Sequence, residues 1–285
     1  MNMKTKANLY LILITAFWGL TFPISHRVIQ YISPSLFVFL RFGLAAMCLL
    51  PMVFYYRSDK RVVYAGIILG LLNSGTFLFQ TIGLEYIDPA RSAFITGMSV
   101  LFVPFLLPFF KLGFPKPIDI LCGIICLLGL YILTGANMHQ LNMGDFITMA
   151  CALCVAMTIS FVQWVTHYIK SYGILNFYQV LFTVPVAGIG AFHHAGWSNV
   201  WHPVVLFGLV FCVIFATVMA LHIQLKYQQY TTATMVALIF VLEPVFASIY
   251  SVLLGDTALR LSLVIGGAVI IFSLALPTLV SKHLS

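Results

Sequence analysis

The stretch ALIFVLEPVFASIYSVLLGD, from Ala237 to Asp256, has the composition of a membrane-spanning helix with one carboxylate in its middle. Glu243 is the only charged residue between positions 233 and 254, and Pro244 follows it directly. A charged residue at the centre of a spanning helix costs roughly 2.5–3.5 kcal/mol on insertion. Such residues are rare and usually functional, so Glu243 is the first candidate for a functional residue.

The composition of the whole chain agrees with this stretch. Of 285 residues, 62% are hydrophobic and 7% are charged, and the mean hydropathy is +1.06. A soluble globular domain carries about 25% charged residues. The net charge of +7 comes from basic residues scattered singly over short loops, which does not indicate nucleic-acid binding. We therefore predict an all-α integral membrane protein surrounded by the lipid bilayer.

The chain divides into ten apolar spans with short, turn-rich connections. The predicted spans are 8–28, 33–55, 62–84, 89–110, 116–135, 144–166, 174–193, 203–225, 231–254 and 261–281. Ten Lys and Arg residues fall on the side of the two termini, and only Arg27, Arg91 and Arg260 fall on the other. Positive charge accumulates on the cytoplasmic side, so this bias predicts an inner-membrane protein with both termini in the cytoplasm.

The two halves of the chain align at a separation of about 140 residues. The alignment places Pro104 on Pro244 and Gly123 on Gly266, which predicts one five-helix repeat over 1–138 and a second over 139–285. Because five is an odd number, the second repeat must insert upside down relative to the first. Inverted repeats are typical of secondary transporters, whose substrate site lies near the midplane between the repeats.

These motifs together resemble the ten-helix EamA branch of the drug/metabolite transporter superfamily. They are FWG at 17–19, FLRF at 39–42, the prolines at 104 and 244, and LEPVFASIYSVLLGD at 242–256. The resemblance implies an exporter of amino acids, other small metabolites or drugs, in many members driven by protons. One difference is Gly255-Asp256, where the family usually has Gly-Glu. The chain lacks a nucleotide-binding motif and the common catalytic motifs, which leaves an intramembrane enzyme or a channel as weaker alternatives.

Glu243 lies in an aromatic stripe. Its neighbours at helical spacing are Phe240, Phe246 and Tyr250. Such a site can hold an ammonium group through charge and cation–π contact, and a carboxyl group kept from water can also carry a proton. The structural alternatives are an ion pair with Arg41 or a neutral carboxyl that caps a carbonyl freed by Pro244.

Seven other residues are candidates for the same site or for its motion. Arg41 is predicted either to bind a substrate carboxylate or to pair with Glu85 or Asp88. Trp18 lies in mid-span and is predicted to line a cavity. Phe77 and Gln80 belong to a polar stripe on the third span, which fits either a cavity wall or interhelical hydrogen bonds. His222 is a candidate proton relay or an interfacial residue, and Pro104 and Pro244 are candidate hinges.

The sequence thus predicts a proton-coupled secondary transporter whose halves move around a cavity lined by the first, third, fourth, sixth, eighth and ninth spans. An amino acid is the predicted substrate, because it fits a site with both Glu243 and Arg41. The alternative is a choline-like or drug-like cation, which fits Glu243 and its aromatic stripe alone. We expect a small-molecule substrate and protons as partners, a homodimer as one candidate assembly, and no cofactor. No metal site is expected, because His193, His194 and His202 are loosely spaced.

Overall fold

The computed structural model describes residues 2–55, 59–135, 141–192, 196–253 and 260–283. Nine helices in these ranges are long and apolar enough to cross a membrane, and the tenth has an apolar segment over Leu261–Pro277. The prediction of an all-α, ten-helix membrane protein is confirmed. The predicted boundary between residues 138 and 139 and the Gly255-Asp256 turn both lie outside the described residues.

The ten helices are labelled α1 to α10 in chain order. Their bounds are Met3–Val28 (α1), Pro34–Tyr55 (α2), Lys60–Gly83 (α3), Pro89–Phe110 (α4), Pro117–Thr134 (α5), Met143–Tyr168 (α6), Tyr172–Ala191 (α7), Pro203–Tyr230 (α8), Ala233–Phe240 with Leu242–Leu253 (α9), and Leu261–His283 (α10). We call the side on which α1 begins and α10 ends the terminal face, and the opposite side the far face.

The turn residues between the spans act as helix caps. Ser33 and Asp88 accept hydrogen bonds from the backbone N–H groups of Leu36 and Arg91, at 3.3 and 2.9 Å. In both cases a proline follows the cap at the first helical position, where its missing N–H costs nothing. The same residues that mark breaks in the sequence therefore begin α2 and α4.

The packing of the helices reflects the internal repeat. Corresponding helices of the two halves lie five places apart in the chain, so a contact between two helices should recur between their counterparts. The α2–α7 and α5–α10 contacts are their own counterparts. The α1–α9 contact recurs as α6–α4, the α3–α6 contact as α8–α1, and the α3–α7 contact as α8–α2. Because each half has five crossings, corresponding helices run in opposite directions, as an inverted repeat requires.

Small residues allow the closest helix contacts. A Cβ atom added to Gly266 on α10 would lie 2.5 Å from the carbonyl oxygen of Gly129 on α5, closer than real Cβ atoms come. Helices in membranes associate through such close backbone approaches, because lipid provides no hydrophobic driving force between them. Glycine is therefore required where α5 and α10 cross.

Three helices are interrupted near the middle of the bundle. α4 breaks at Met98 and α9 breaks at Val241, just before Pro244. α8 widens into a π-helical segment over Ile214–Met219. Pro104 lies six residues beyond the α4 break, whereas Pro244 lies three residues beyond the α9 break. The hinge roles of these two prolines stay predictions.

Candidate functional site

A central cavity lies between α1, α3, α4, α6, α8 and α9, the six helices that the sequence indicates. The space in it that a water-sized sphere can occupy is about 70 Å³. Six residues singled out in the sequence line it: Trp18, Phe77, Gln80, Phe240, Glu243 and Pro244. The structure therefore brings Glu243, one polar side chain and three aromatic rings to one site.

Glu243 is the only charged residue among the described residues that line this cavity. Within the described chain, its carboxyl group has no hydrogen-bond partner and no cation within 4.0 Å. It sits at the start of the second α9 segment, directly after the break at Val241. The carboxyl group thus lines the cavity without a partner in the part of the chain that the structure describes.

Gly19 permits the close approach of α1 to this part of α9. A Cβ atom at Gly19 would lie 2.6 Å from the carbonyl oxygen of Glu243 and 2.9 Å from the Cβ atom of Phe246. The residue before it, Trp18, faces the cavity. The Trp-Gly motif therefore places a ring in the cavity wall and leaves room for the α9 backbone beside it.

Three threonine hydroxyl groups in the cavity wall have no hydrogen-bond partner among the described residues. They belong to Thr76 on α3, Thr96 on α4 and Thr158 on α6, and all three oxygens are shielded from solvent. Buried polar groups in proteins are nearly always hydrogen-bonded, so an unpaired one requires an explanation. Because neighbouring atoms cover all three oxygens, they can meet a ligand or water only after the wall rearranges.

Aromatic rings form the apolar part of the wall. Trp18 and Phe240 meet edge to face, with ring centroids 4.9 Å apart. The indole N–H of Trp18 donates to the carbonyl oxygen of Ala216 at 2.9 Å, which holds the ring in place. Phe77 completes this set from α3. The rings present π faces and edges to a cavity that also contains a carboxylate.

Arg41 is buried but does not line the central cavity. Its Nε donates to the hydroxyl of Thr217 at 2.7 Å, and its Nη2 donates to the carbonyl oxygen of Ala216 at 3.2 Å. The guanidinium also lies over the ring of Phe77, 4.5 Å from the centroid. Among the described residues it pairs with none of Glu243, Glu85 and Asp88. Arg41 thus supports the aromatic wall from behind, and its predicted role as a substrate ligand stays a prediction.

The π-helical segment of α8 receives these hydrogen bonds. The hydroxyl of Thr217 donates to the carbonyl oxygen of Cys212, five residues back, and Asn176 on α7 donates to the carbonyl oxygen of Val218 at 3.1 Å. Single-turn π segments leave carbonyl groups without their usual helical partners and occur frequently at functional sites. Side chains from α1, α2 and α7 supply the missing donors here.

A chain of amides connects this segment with the cavity. Asn73, which lines the cavity, donates to the side-chain oxygen of Gln179 at 3.4 Å, and Gln179 donates to Asn176 at 2.8 Å. Asn73 lies on the same stripe of the third span as Phe77 and Gln80, and the sequence predicts no role for Asn176. The only signal in the sequence was the presence of amides inside apolar spans.

Phe246, Tyr250 and His222 do not line the cavity. Phe246 and Tyr250 stack on each other with centroids 6.5 Å apart, and Phe246 packs against α1 at Gly19. His222 lies between two lining residues, Leu221 and Gln224, but its ring is not part of the wall. Their roles in substrate binding and proton relay stay predictions.

Glutamine side chains cross-link the helices on the terminal side of the cavity. Gln228 at the end of α8 donates to the carbonyl oxygen of Ile159 on α6 at 2.6 Å. Gln163 on α6 donates to the carbonyl oxygen of Thr231, between α8 and α9, at 3.0 Å.

On the far side, a second cavity shares Ala93 and Pro244 with the central one. The wall toward the far face is therefore thin at these two residues.

An ion pair that sequence reasoning missed joins α4 to α6. Both Nε and Nη2 of Arg91 donate to the carboxylate of Asp145, at 2.6 and 2.7 Å. Asp145 also belongs to the capping box of α6, in which its carboxylate accepts from the N–H of Asn142. Their proximity depends on the packing of α4 on α6, which the sequence alone does not show.

Of the three loop histidines, the structure describes only His202. Its Nδ1 accepts a hydrogen bond from the N–H of Val204 at 3.3 Å, and its ring stacks on Tyr31 with centroids 3.9 Å apart. His202 therefore caps α8. His193 and His194 lie outside the described residues.

Comparison with known proteins gives one consistent result. The model of the EamA-like transporter family matches residues 5–135 and 142–279. An uncharacterized transporter of Archaeoglobus fulgidus is 28% identical over 252 residues, which cover 87% of this chain and 78% of that protein. The uncharacterized transporter YoaV of Bacillus subtilis is 26% identical over 75% of this chain and 68% of its own. A solved crystal structure shares the fold with a TM-score of 0.76, at 17% identity and over 99% of both chains.

Proposed function

Because this chain belongs to the EamA-like transporter family, we propose that it is a secondary transporter that exchanges a small organic amine for protons. The observation that carries the proposal is Glu243, a carboxyl group without a protein partner in a cavity with no other charged lining residue among those described. A buried carboxylate is costly unless its charge is balanced. A proton or a bound ammonium group can balance it, and the two compete.

Competition for one carboxyl group gives exchange. A protonated Glu243 does not attract a cation, and a bound cation stabilises the ionised form, so each ligand lowers the affinity for the other. In the proposed cycle, the two halves of the inverted repeat change conformation only when a proton or a bound cation neutralises Glu243. Protons that move across the membrane in one direction then drive the amine in the other direction. The aromatic wall adds cation–π attraction for the ammonium group.

The geometry favours an organic cation over an amino acid held at both ends. Arg41 already donates to Thr217 and Ala216, and it lies behind the wall rather than in it. An amino acid is the second candidate, because Asn73 and Gln80 present amide groups in the same cavity, and amide N–H groups can donate to its carboxylate.

The orientation and direction also belong to this proposal. The excess of Lys and Arg on the terminal face supports cytoplasmic termini in the inner membrane. With an inward proton gradient, exchange then exports the amine. The two repeats over 1–138 and 139–285 supply the two pseudo-symmetric conformations, and a homodimer stays a prediction.

The test is uptake into liposomes with an acidic interior. The purified protein is offered a mixed pool of amino acids, choline-like quaternary amines and purines, and mass spectrometry identifies what accumulates. Weak bases accumulate in an acidic liposome by protonation alone, so protein-free liposomes serve as the control. Quaternary amines do not accumulate in this way, because their nitrogen cannot be protonated. We expect quaternary amines to accumulate until the pH gradient is dissipated.

The matched variants are Glu243→Gln and Glu85→Gln. Both remove one carboxylate, but Glu85 is exposed on the far face. We expect the first to abolish gradient-driven accumulation and the second to leave it unchanged. Equal accumulation by Glu243→Gln and by the wild type, with both proteins inserted and folded, contradicts the proposal.

A further inference from the structure

A second site lies at the terminal face, away from the central cavity. The terminal ends of α3 and α6 and the connection between α6 and α7 line a groove. Its polar end contains Asp59, Arg61, Lys170 and Ser171, and its opposite end is apolar, with Ile68 and Phe161. The groove and the central cavity share no lining residue.

From these features we infer that the groove binds an anionic phospholipid, with the phosphate at Arg61 and Lys170 and an acyl chain along the apolar end. Arg61 has five N–H donors, and its guanidinium has no partner among the described residues. Lys170 donates to the carbonyl oxygen of Thr166 and to Gln229, both at 2.6 Å. An ammonium group has three donors, so one remains for a ligand.

The charges of the groove favour an anion. Two cations face one carboxylate, and that carboxylate is partly used because Asp59 accepts the backbone N–H of Arg61 at 3.4 Å as the cap of α3. Basic pockets between membrane helices are suited to anionic lipid headgroups. A zwitterionic lipid would bring an ammonium group to a site that is already positive.

The length and polarity of the groove favour a lipid over a soluble anion. Arg61 and Ile68 are seven residues apart on α3, as are Tyr168 and Phe161 on α6, which is roughly 10 Å along each helix. Over this distance the lining changes from charged to apolar, as a phospholipid does from headgroup to chain. A free phosphate ion would occupy only the charged end.

Aromatic side chains line the groove near the terminal ends of α3 and α6. Phe161, Trp164 and Tyr168 form a ladder on α6, with successive centroids 5.6 and 5.4 Å apart. Tyr168 is 73% exposed, and Tyr64 across the groove is 65% exposed. In a membrane-spanning chain such surfaces contact lipid, and Trp and Tyr prefer the headgroup level. The groove is thus open sideways to the bilayer.

The experiment uses the fluorescence of Trp164 as a local probe. The full-length protein is placed in mixed vesicles in which either phosphatidylglycerol or phosphatidylcholine carries bromine on the upper acyl chain, which quenches nearby tryptophan. Subtracting the signal of Trp164→Phe removes the contributions of the other three tryptophans. We expect stronger quenching by the brominated phosphatidylglycerol, corresponding to a preference of up to roughly 30-fold for two interfacial cations.

Three variants test the assignment. Arg61→Gln with Lys170→Gln is expected to remove the preference, whereas the charge-preserving pair Arg61→Lys with Lys170→Arg is expected to keep it. Arg260→Gln, which removes a cation from the far face, is expected to change nothing. Equal quenching by both lipids, or an unchanged preference in the glutamine pair, overturns the inference. Loss of quenching on adding inorganic phosphate shows a soluble-anion site and overturns it as well.

Discussion

Glu243 and Gly19 define the site at the scale of single residues. Glu243 was predictable from the sequence, since one carboxylate in an otherwise apolar span has few structural explanations. The role of Gly19 was not, because it depends on a carbonyl oxygen on another helix more than two hundred positions away. The charge of Arg41 inside an apolar span made it a candidate residue, but its partners in α8 were not predictable. One of them is the backbone carbonyl oxygen of Ala216, and no pattern of side chains indicates a backbone partner.

We predict that Gly19→Ala destabilises the protein. The added Cβ would lie 2.6 Å from the carbonyl oxygen of Glu243, so α1 or α9 must shift. Inserting a methyl group into a closely packed interface costs roughly 1–3 kcal/mol. Gly43→Ala is the matched control, since nothing lies within 4 Å of a Cβ atom there. Thermal unfolding in detergent should show a lower Tm for the first variant, and equal Tm values would contradict this account.

At the scale of elements, the spans were predictable and the π-helical segment of α8 was not. Apolar length and turn residues define where a membrane helix begins and ends, and these are properties of the local sequence. The segment Ile214–Met219 instead depends on donors from three other helices, namely Trp18, Arg41 and Asn176. Its composition does not differ from that of an ordinary span.

We predict that Thr217→Val destabilises this segment. The change keeps the side-chain shape but leaves Nε of the buried Arg41 without its acceptor, which costs roughly 1–3 kcal/mol. Thr166→Val is the control, because that hydroxyl donates only to its own helix, at the carbonyl oxygen of Val162. Thermal unfolding should give the larger loss for Thr217→Val. A larger loss for Thr166→Val would show that Arg41 does not depend on Thr217.

At the scale of the whole molecule, the inverted repeat followed from an odd number of helices in each half. The unequal closure of the two sides of the cavity did not follow from the sequence. On the terminal side, hydrogen bonds of Gln163 and Gln228 join α6 to the junction of α8 and α9. On the far side, the central cavity and the second cavity have two wall residues in common, Ala93 and Pro244. Opening toward the terminal face therefore requires these glutamine bonds to break.

We predict that Gln228→Leu increases access from the terminal face. Loss of the bond to the carbonyl oxygen of Ile159 should shift the conformational equilibrium by roughly 2- to 10-fold. The probe is Thr158→Cys, placed in the cavity wall of a chain without its native cysteines, and labelled by an impermeant maleimide added at the terminal face. Gln30→Leu is the control, since Gln30 lies in the turn after α1 and its side chain donates to the carbonyl oxygen of His26 in the preceding helix, away from the cavity. Unchanged labelling would contradict a closing role for Gln228.

Proton release on cation binding tests the central claim most directly. The purified protein in a weakly buffered solution with a pH indicator is titrated with the quaternary amine that accumulates in the liposome assay, over a series of pH values. If Glu243 carries either a proton or a cation, binding releases up to about one proton per cation in the wild type and none in Glu243→Gln. Binding without proton release at every pH, or the same release in both proteins, would contradict the exchange mechanism.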